Sequence, residues 1–141
     1  MVYEGEYLNG KRHGKGIEYD RDGKIKYEGE YLNGERHGKG KEYNYNYNGD
    51  LIFEAENLNG ERRGKGKEYD SYGNLIFEGE FLNGIRNGKG KEYNNFNGKL
   101  VFEGEYLNGE RNGKGKEYDS YGELIFEGEY LNGERHGKRF W

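Results

Sequence analysis

The sequence contains no cysteine and no proline, and only three histidines, two serines and one tryptophan. Without cysteine there is neither a disulfide frame nor a thiolate metal site. No apolar run approaches the ~18 residues of a membrane-spanning helix and no signal-peptide pattern follows Met1, so the expected location is cytoplasmic, at the cytoskeleton or a membrane surface. A formal net charge of −4 leaves no basic surplus for neutralising phosphates, and nucleic acid is not an expected partner. Only 30% of the residues are hydrophobic, and 15 tyrosines and seven phenylalanines make up about half of those. A thick aliphatic core cannot be built from this composition, but aromatic residues in strict period do not describe a disordered chain either.

What is abundant is repetition. The block at residues 3–19 returns almost letter for letter at 27–43, 53–69, 77–93 and 102–118 and begins again at 126. The whole of residues 1–141 therefore reads as one array, with repeats starting near 3, 27, 53, 77, 102 and 126, five full copies and a partial sixth. Stacked repeats form an extended surface rather than a central pocket, which favours binding over catalysis.

Within a block the letters alternate with period two. Leu75, Phe77, Gly79 and Phe81 share one face of a strand, and Ile76, Glu78, Glu80 and Leu82 share the other. Asn83-Gly84 follows at once, as do Asn9-Gly10, Asn33-Gly34, Asn59-Gly60, Asn108-Gly109 and Asn132-Gly133 in the other copies. Asn-Gly between alternating segments is the strongest short hairpin signal, because both residues tolerate the positive φ of a type I′ turn. A two-residue loop there pairs Leu82 with Ile85, Gly79 with Gly88, Glu78 with Lys89 and Phe77 with Gly90, which lays rings over glycines. A second two-residue loop at Tyr72-Gly73 pairs Tyr69 with Ile76, Lys67 with Glu78, Gly66 with Gly79 and Gly64 with Phe81, so each Glu78-type carboxylate stands between two lysines. The connectors are 7, 9, 7, 8 and 7 residues long. The extra residue at 94–98 requires a bulge or a three-residue turn if the faces are to be kept. The expected fold is all-β, an elongated single-layer antiparallel meander of tandem β-hairpins.

The pattern Tyr27-Glu28-Gly29-Glu30-Tyr31-Leu32-Asn33-Gly34-Glu35-Arg36-His37-Gly38-Lys39-Gly40 resembles the MORN (membrane occupation and recognition nexus) repeat, and the resemblance covers essentially the whole chain. It implies a twisted sheet of successive hairpins with an aromatic and glycine-lined groove. It also implies a scaffold or targeting module that binds protein segments, forms dimers or contacts phospholipid. Ala55 and Asn57 depart from the pattern in the third repeat and should weaken the groove there.

Chemistry-bearing constellations are absent. His13, His37 and His136 fill one slot of different repeats, and neighbouring copies of that slot lie about 10 Å apart, too far to share a metal. The Gly-Lys-Arg-His-Gly-Lys-Gly run at residues 10–16 lacks the spacing and the Ser or Thr of a phosphate loop. Glu28/Glu30-type pairs read as surface charge, and Ser71 and Ser120 as turn residues. No catalytic residue, cofactor or metal is expected.

The candidate partner-binding groove is Tyr3, Tyr7, Tyr27, Tyr31, Phe77, Phe81, Phe102, Tyr106, Phe126 and Tyr130. A second candidate, for acidic phospholipid or acidic peptide, is the rim of Arg12, Arg36, Arg62, Arg86, Arg111 and Arg135, with Glu35, Glu61, Glu110 and Glu134 beside four of them as neutralising partners. The expected role is a non-enzymatic scaffold for a protein or peptide segment. The alternatives are membrane attachment and self-assembly as a homodimer or edge-to-edge oligomer through the first strand, residues 2–8. Arg139, Phe140 and Trp141 read as a cap, a partner contact or a truncated repeat.

Overall fold

A computed structural model describes residues 2–46, 49–58 and 61–138 of the chain. They form twelve strands: β1 (Val2–Leu8), β2 (Lys11–Tyr19), β3 (Ile25–Leu32), β4 (Glu35–Asn46), β5 (Gly49–Leu58), β6 (Glu61–Tyr69), β7 (Leu75–Leu82), β8 (Ile85–Tyr93), β9 (Leu100–Leu107), β10 (Glu110–Tyr118), β11 (Leu124–Leu131) and β12 (Glu134–Lys138). Every strand pairs antiparallel with its sequence neighbours in a single sheet ordered β1 to β12. The described residues contain no helix, in keeping with the period-two pattern. Residues 139–141 and the Asn59-Gly60 turn lie outside the described residues.

The Asn-Gly turns take the predicted form. Asn9, Asn33, Asn83, Asn108 and Asn132 have φ between 50 and 53°, and the glycine after each is also positive, as a type I′ turn demands. Successive turns are tied together. The amide N–H groups of Gly34, Asn83, Gly109 and Gly133 donate to the carbonyls of Arg12, Arg62, Arg86 and Arg111 of the preceding repeat, at 2.7–3.0 Å.

The hairpin register differs from the sequence expectation. Leu82 does face Ile85, but Gly79 faces Gly90, Glu78 faces Lys91 and Phe77 faces Glu92, with a register shift between Gly79 and Phe81. Two extra residues bulge from β8, and the same shift occurs in the β1–β2, β3–β4 and β9–β10 hairpins. Gly14, Gly38, Gly88 and Gly113 occupy the bulges with φ of 65–106°, a region that glycine enters without the Cβ penalty. A carboxylate on the opposite strand closes each one. Glu6, Glu30, Glu80 and Glu105 accept the main-chain N–H of Lys15, Lys39, Lys89 and Lys114 respectively. These glutamates, read from the sequence as plain surface charge, bind backbone that the bulge would otherwise leave unpaired.

The third hairpin has no bulge. Leu58↔Glu61, Asn57↔Arg62, Ala55↔Gly64 and Phe53↔Gly66 pair without a shift, the regular register expected for every repeat. Its sequence explains the difference. A Cβ built on Gly5, Gly29, Gly79 or Gly104 would approach Cα of the facing glycine to 2.5–2.7 Å in the bulged hairpins, so an alanine such as Ala55 cannot occupy that place in a bulged hairpin.

The connectors keep the faces aligned. Gly66↔Gly79, Lys67↔Glu78 and Gly64↔Phe81 pair as expected, whereas Tyr69 faces Leu75 instead of Ile76 because of a shift between Glu68 and Tyr69. Tyr72-Gly73 is accordingly not a two-residue loop. Residues 70–74 form the turn, in which Gly73 N–H donates to the Asp70 carbonyl at 3.0 Å and Asp70 Oδ1 accepts the N–H groups of Tyr72 and Asn74, both at 2.9 Å. Asp20 and Asp119 repeat this arrangement. In the longer connector Gly98 N–H reaches back to Asn94 O, a turn one residue wider that absorbs the insertion as expected.

The registers bring glycines together in rows across the strands, Gly5, Gly16, Gly29 and Gly40 before Ala55, then Gly66, Gly79, Gly90, Gly104, Gly115 and Gly128 after it. Rings lie over these rows. A Cβ on Gly90 would stand 2.5 Å from Phe77 Cζ and 3.0 Å from Tyr106 Cε1, whereas one on Gly73 would meet nothing within 4 Å. We therefore expect Gly90→Ala to cost about 1–3 kcal/mol of stability by overpacking. Gly73→Asn, which needs only a positive φ, should cost less than ~1 kcal/mol. Urea denaturation of the two variants checks the order.

Candidate functional site

The ten aromatic residues expected to line a groove are placed mainly in the interior. Tyr27, Tyr31, Phe77, Phe81, Phe102, Tyr106, Phe126 and Tyr130 are buried and, with Phe53, constitute the hydrophobic core. Tyr3 is partly covered and Tyr7 exposed. The groove is filled by its own rings. Phe53, Phe81, Phe77, Tyr106, Phe102, Tyr130 and Phe126 run edge to face in one unbroken ladder, centroids 5.2–5.7 Å apart. Tyr7, Tyr3, Tyr31 and Tyr27 form a second ladder at 5.2–5.5 Å. Each contact of this kind is worth about 0.5–1.5 kcal/mol beyond its burial. Asn57 stands in the ring slot between the two ladders.

The arginines cover the rings. Guanidinium carbons lie 4.0–4.5 Å from the ring centroids of Tyr3, Tyr27, Phe77, Phe102 and Phe126, contributed by Arg12, Arg36, Arg86, Arg111 and Arg135. Their ionic partners are not the adjacent glutamates expected from the sequence. For Arg36, Arg62, Arg86, Arg111 and Arg135 they are glutamates near the end of the preceding hairpin, and Arg12 stands nearest Glu18 of its own strand. Arg86 grips Glu68 at 2.7 and 3.0 Å, Arg111 grips Glu92 at 2.9 and 3.1 Å, and Arg135 grips Glu117 at 2.9 and 2.8 Å, each through two nitrogens. Arg36 bonds Glu18 at 2.9 Å and Arg62 bonds Glu42 at 2.7 Å, while Arg12 lies 3.9 Å from Glu18. Tyr31, Tyr106 and Tyr130 donate their hydroxyls to Glu18, Glu92 and Glu117. The signal was in the sequence, since Glu-Tyr closes every block and parity places that glutamate on the ring face.

These contacts set the charge states. Burial alone would raise the carboxyls of Glu18 and Glu92, but hydrogen bonds from arginine and tyrosine outweigh it and hold both below the usual value. The hydrogen bond from Arg135 is the main cause that brings Glu117 down to about 2. Burial, opposed in part by Arg36, pushes Tyr27 up to about 12. With the faces closed by ion pairs, phosphate recognition by these arginines would require displacing paired carboxylates.

The opposite face is open. Its strands carry Lys67, Glu78, Lys91, Glu103, Lys116 and Glu127 as successive cross-strand partners, so Glu78 and Glu103 do sit between two lysines, with Lys91 in place of the Lys89 expected for Glu78, whereas Glu28 has Ile17 on one side and Lys41 on the other. A trough of about 1340 Å³ runs along this ladder, walled by lysines and glutamates and floored by Gly66, Gly79, Gly90, Gly104 and Gly115. A second hollow of about 950 Å³ includes Glu28, Lys41, Glu54 and Lys65. Tyr93 and Tyr118 donate their hydroxyls to Glu78 and Glu103 at 2.5 and 2.7 Å. Among the described residues no cluster of histidines and carboxylates is arranged to hold a metal ion.

A single sheet of tandem hairpins with rings on one face and an open charged face defines a β-hairpin repeat protein. MORN repeat models match residues 3–25, 27–49, 77–97, 102–122 and 126–138. The chain belongs to the MORN repeat family, a non-enzymatic repeat type generally associated with protein or membrane interactions. The matched segments omit the unbulged third hairpin beyond residue 49. No curated protein matches the chain.

Phe81 occupies a slot in which Tyr31, Tyr106 and Tyr130 each bond a glutamate. Phe81→Tyr is expected to stabilise the protein by about 1 kcal/mol by supplying Glu68 with the missing hydroxyl, and Tyr106→Phe to destabilise it by about 1–2 kcal/mol. Chemical denaturation measures both.

Because the folded-state value of Glu117 is depressed, its stabilising contribution is present above the ordinary value of 4.5 and is lost as pH falls through about 2. The advantage of the wild type over Glu117→Gln at pH 7 should therefore shrink across that window. Thermal melts at stepped pH read it directly.

Proposed function

We propose that this protein is a non-enzymatic scaffold that holds an extended protein segment in the trough of its lysine and glutamate face. The observation that carries the reading is the glycine-floored trough itself, which crosses β5 to β11. Seven strands at ~4.8 Å spacing make a channel roughly 30 Å long, enough for about nine residues of extended chain. The floor is free of side chains because these strand positions point to the ring face, and the walls offer alternating charges that fix register. The aromatic rings contribute indirectly, by stiffening the sheet from behind.

This reading relocates binding from the rings to the opposite face, because buried rings offer a partner little area without unpacking the core. Acidic phospholipid is the weaker reading, since the wall charges alternate in sign and the arginines are engaged by glutamates. A cytoplasmic location remains part of the proposal.

The test is capture of a partner by the intact chain, followed by rebinding of the purified partner to variants. Lys67→Glu, Lys91→Glu and Lys116→Glu combined should weaken the captured complex at least tenfold. Arg62→Gln, on the ring face, should change it less than twofold. Circular dichroism confirms that both fold. Retention of the partner by the trough variant, or its loss from Arg62→Gln alone, overturns the trough reading.

A further inference from the structure

The trough and the ring face leave unexplained the most exposed aromatic residues among those the structure describes. Tyr72, Phe96 and Tyr121 are 89%, 93% and 81% exposed. Each stands in a connector, between β6 and β7, β8 and β9, and β10 and β11. Antiparallel meander topology puts these connectors in a row on one long edge, about 10 Å apart at two strand spacings. They are also joined: Asn95 Nδ2 donates to Asp70 Oδ2, and Asn97 Nδ2 donates to the Ser120 carbonyl, both at 3.3 Å. The row is thus braced by its own turns and by side-chain links, with three apolar rings facing solvent at a cost that folding does not require.

Two observations indicate what the rings would meet. Residues 70–74, 94–99 and 119–123 carry Asp70, Asp119 and Glu123 against Lys99, three negative charges and one positive, a net charge of −2. Farther along the same edge the chain supplies an example of such a contact. The Lys24 ammonium, from the connector between β2 and β3, lies 4.9 Å from the ring centroid of Tyr45 at the connector end of β4. An aromatic ring on this edge therefore accepts a cation, and an acidic setting favours one electrostatically.

We propose that Tyr72, Phe96 and Tyr121 form a docking strip for a protein segment bearing arginine or lysine at every third residue in the polyproline II conformation, whose turn of three residues and about 9 Å puts those side chains on one face in step with the ~10 Å between connectors. The cationic groups sit on the ring faces and the surrounding carboxylates supply the long-range attraction. This strip is separate from the trough, and its test does not depend on the trough being occupied.

The probe is an acetylated seven-residue peptide, Arg-Ser-Ser-Arg-Ser-Ser-Arg, titrated into the isotope-labelled full chain at low salt and followed by two-dimensional NMR. The control peptide replaces each arginine with citrulline, which keeps shape and removes charge. Binding of the arginine peptide is expected to move amide signals of residues 70–74, 94–99 and 119–123. The triple variant Tyr72→Ser, Phe96→Ser, Tyr121→Ser should bind at least about tenfold more weakly, from three cation–π contacts at exposed sites. The leucine triple variant at the same positions keeps apolar area but lacks ring faces, and it should be weakened similarly. Both should melt close to the wild-type temperature because the rings, 81–93% exposed, bury little area. Equal affinity of wild type and serine variant, equal binding of the citrulline peptide, or full affinity in the leucine variant would each overturn the proposal. So would ring-dependent binding to phosphatidylcholine vesicles with no response to the peptide, which would assign the strip to a membrane surface.

Discussion

The contact on which the rest of the structure depends is the aromatic ring lying over a glycine backbone. A single sheet has no second layer to bury its apolar face, so the core must be made within one face. Glycine rows make that possible, because the absence of Cβ lets rings settle close to the strands and against one another. At Gly90 and Gly115 a Cβ would already lie within 2.5–2.8 Å of ring atoms. The rings still have one side toward solvent, and the arginines close it, with Arg36, Arg86, Arg111 and Arg135 each held by a glutamate of the preceding hairpin. Core, cover and ion pairs thus form one repeating unit that spans two hairpins, and no hairpin completes it alone.

The bulge is the second constraint and follows from the first. It displaces two residues of the hairpin so that facing glycines come into register and the ring of one strand reaches across to cover them. Its exposed N–H is taken by a glutamate, and its positive φ by a glycine, which accounts for two positions of the repeat that otherwise look like generic surface. The third hairpin shows what happens when one requirement fails. With Ala55 in the glycine row and Asn57 in the ring slot the hairpin pairs regularly, the ring ladder divides in two, buried Asn57 Nδ2 is left without a hydrogen-bond partner, and Glu42 Oε1 has the Arg36 guanidinium at 3.4 Å in place of a hydroxyl. Those groups mark the missing tyrosine, whose hydroxyl reaches the equivalent glutamate elsewhere.

Division of labour between the faces follows. The ring face spends its aromatic and basic groups on stability, the trough walls share their glutamates with bulge N–H groups and tyrosine hydroxyls, and the connector rings stay exposed. A charge ladder of alternating sign gives positional selectivity with little net field. The connector rings give apolar area at fixed intervals. Either surface suits an elongated partner better than a compact ligand, as expected for an array whose contacts are spread along its length.

Much of this was legible in the sequence. Asn-Gly at the same place in every block determined the hairpins, period two determined which residues share a face, and the unchanged block length confined every insertion to the connectors. The pairings across the connectors, such as Lys67 with Glu78 and Gly66 with Gly79, agree with those read from a two-residue loop at Tyr72-Gly73, because the shift between Glu68 and Tyr69 compensates for the wider turn that forms there. What only the tertiary structure decided was the bulge, because loop length sets register only while both strands remain regular, and a backbone shift leaves no letter of its own beyond another glycine. It also decided that Phe77 and its counterparts form a core instead of a groove. Alternation identifies a face but not what covers it, and here the cover comes from Arg86 and Glu68, 18 residues apart in the chain and brought together only when successive hairpins stack.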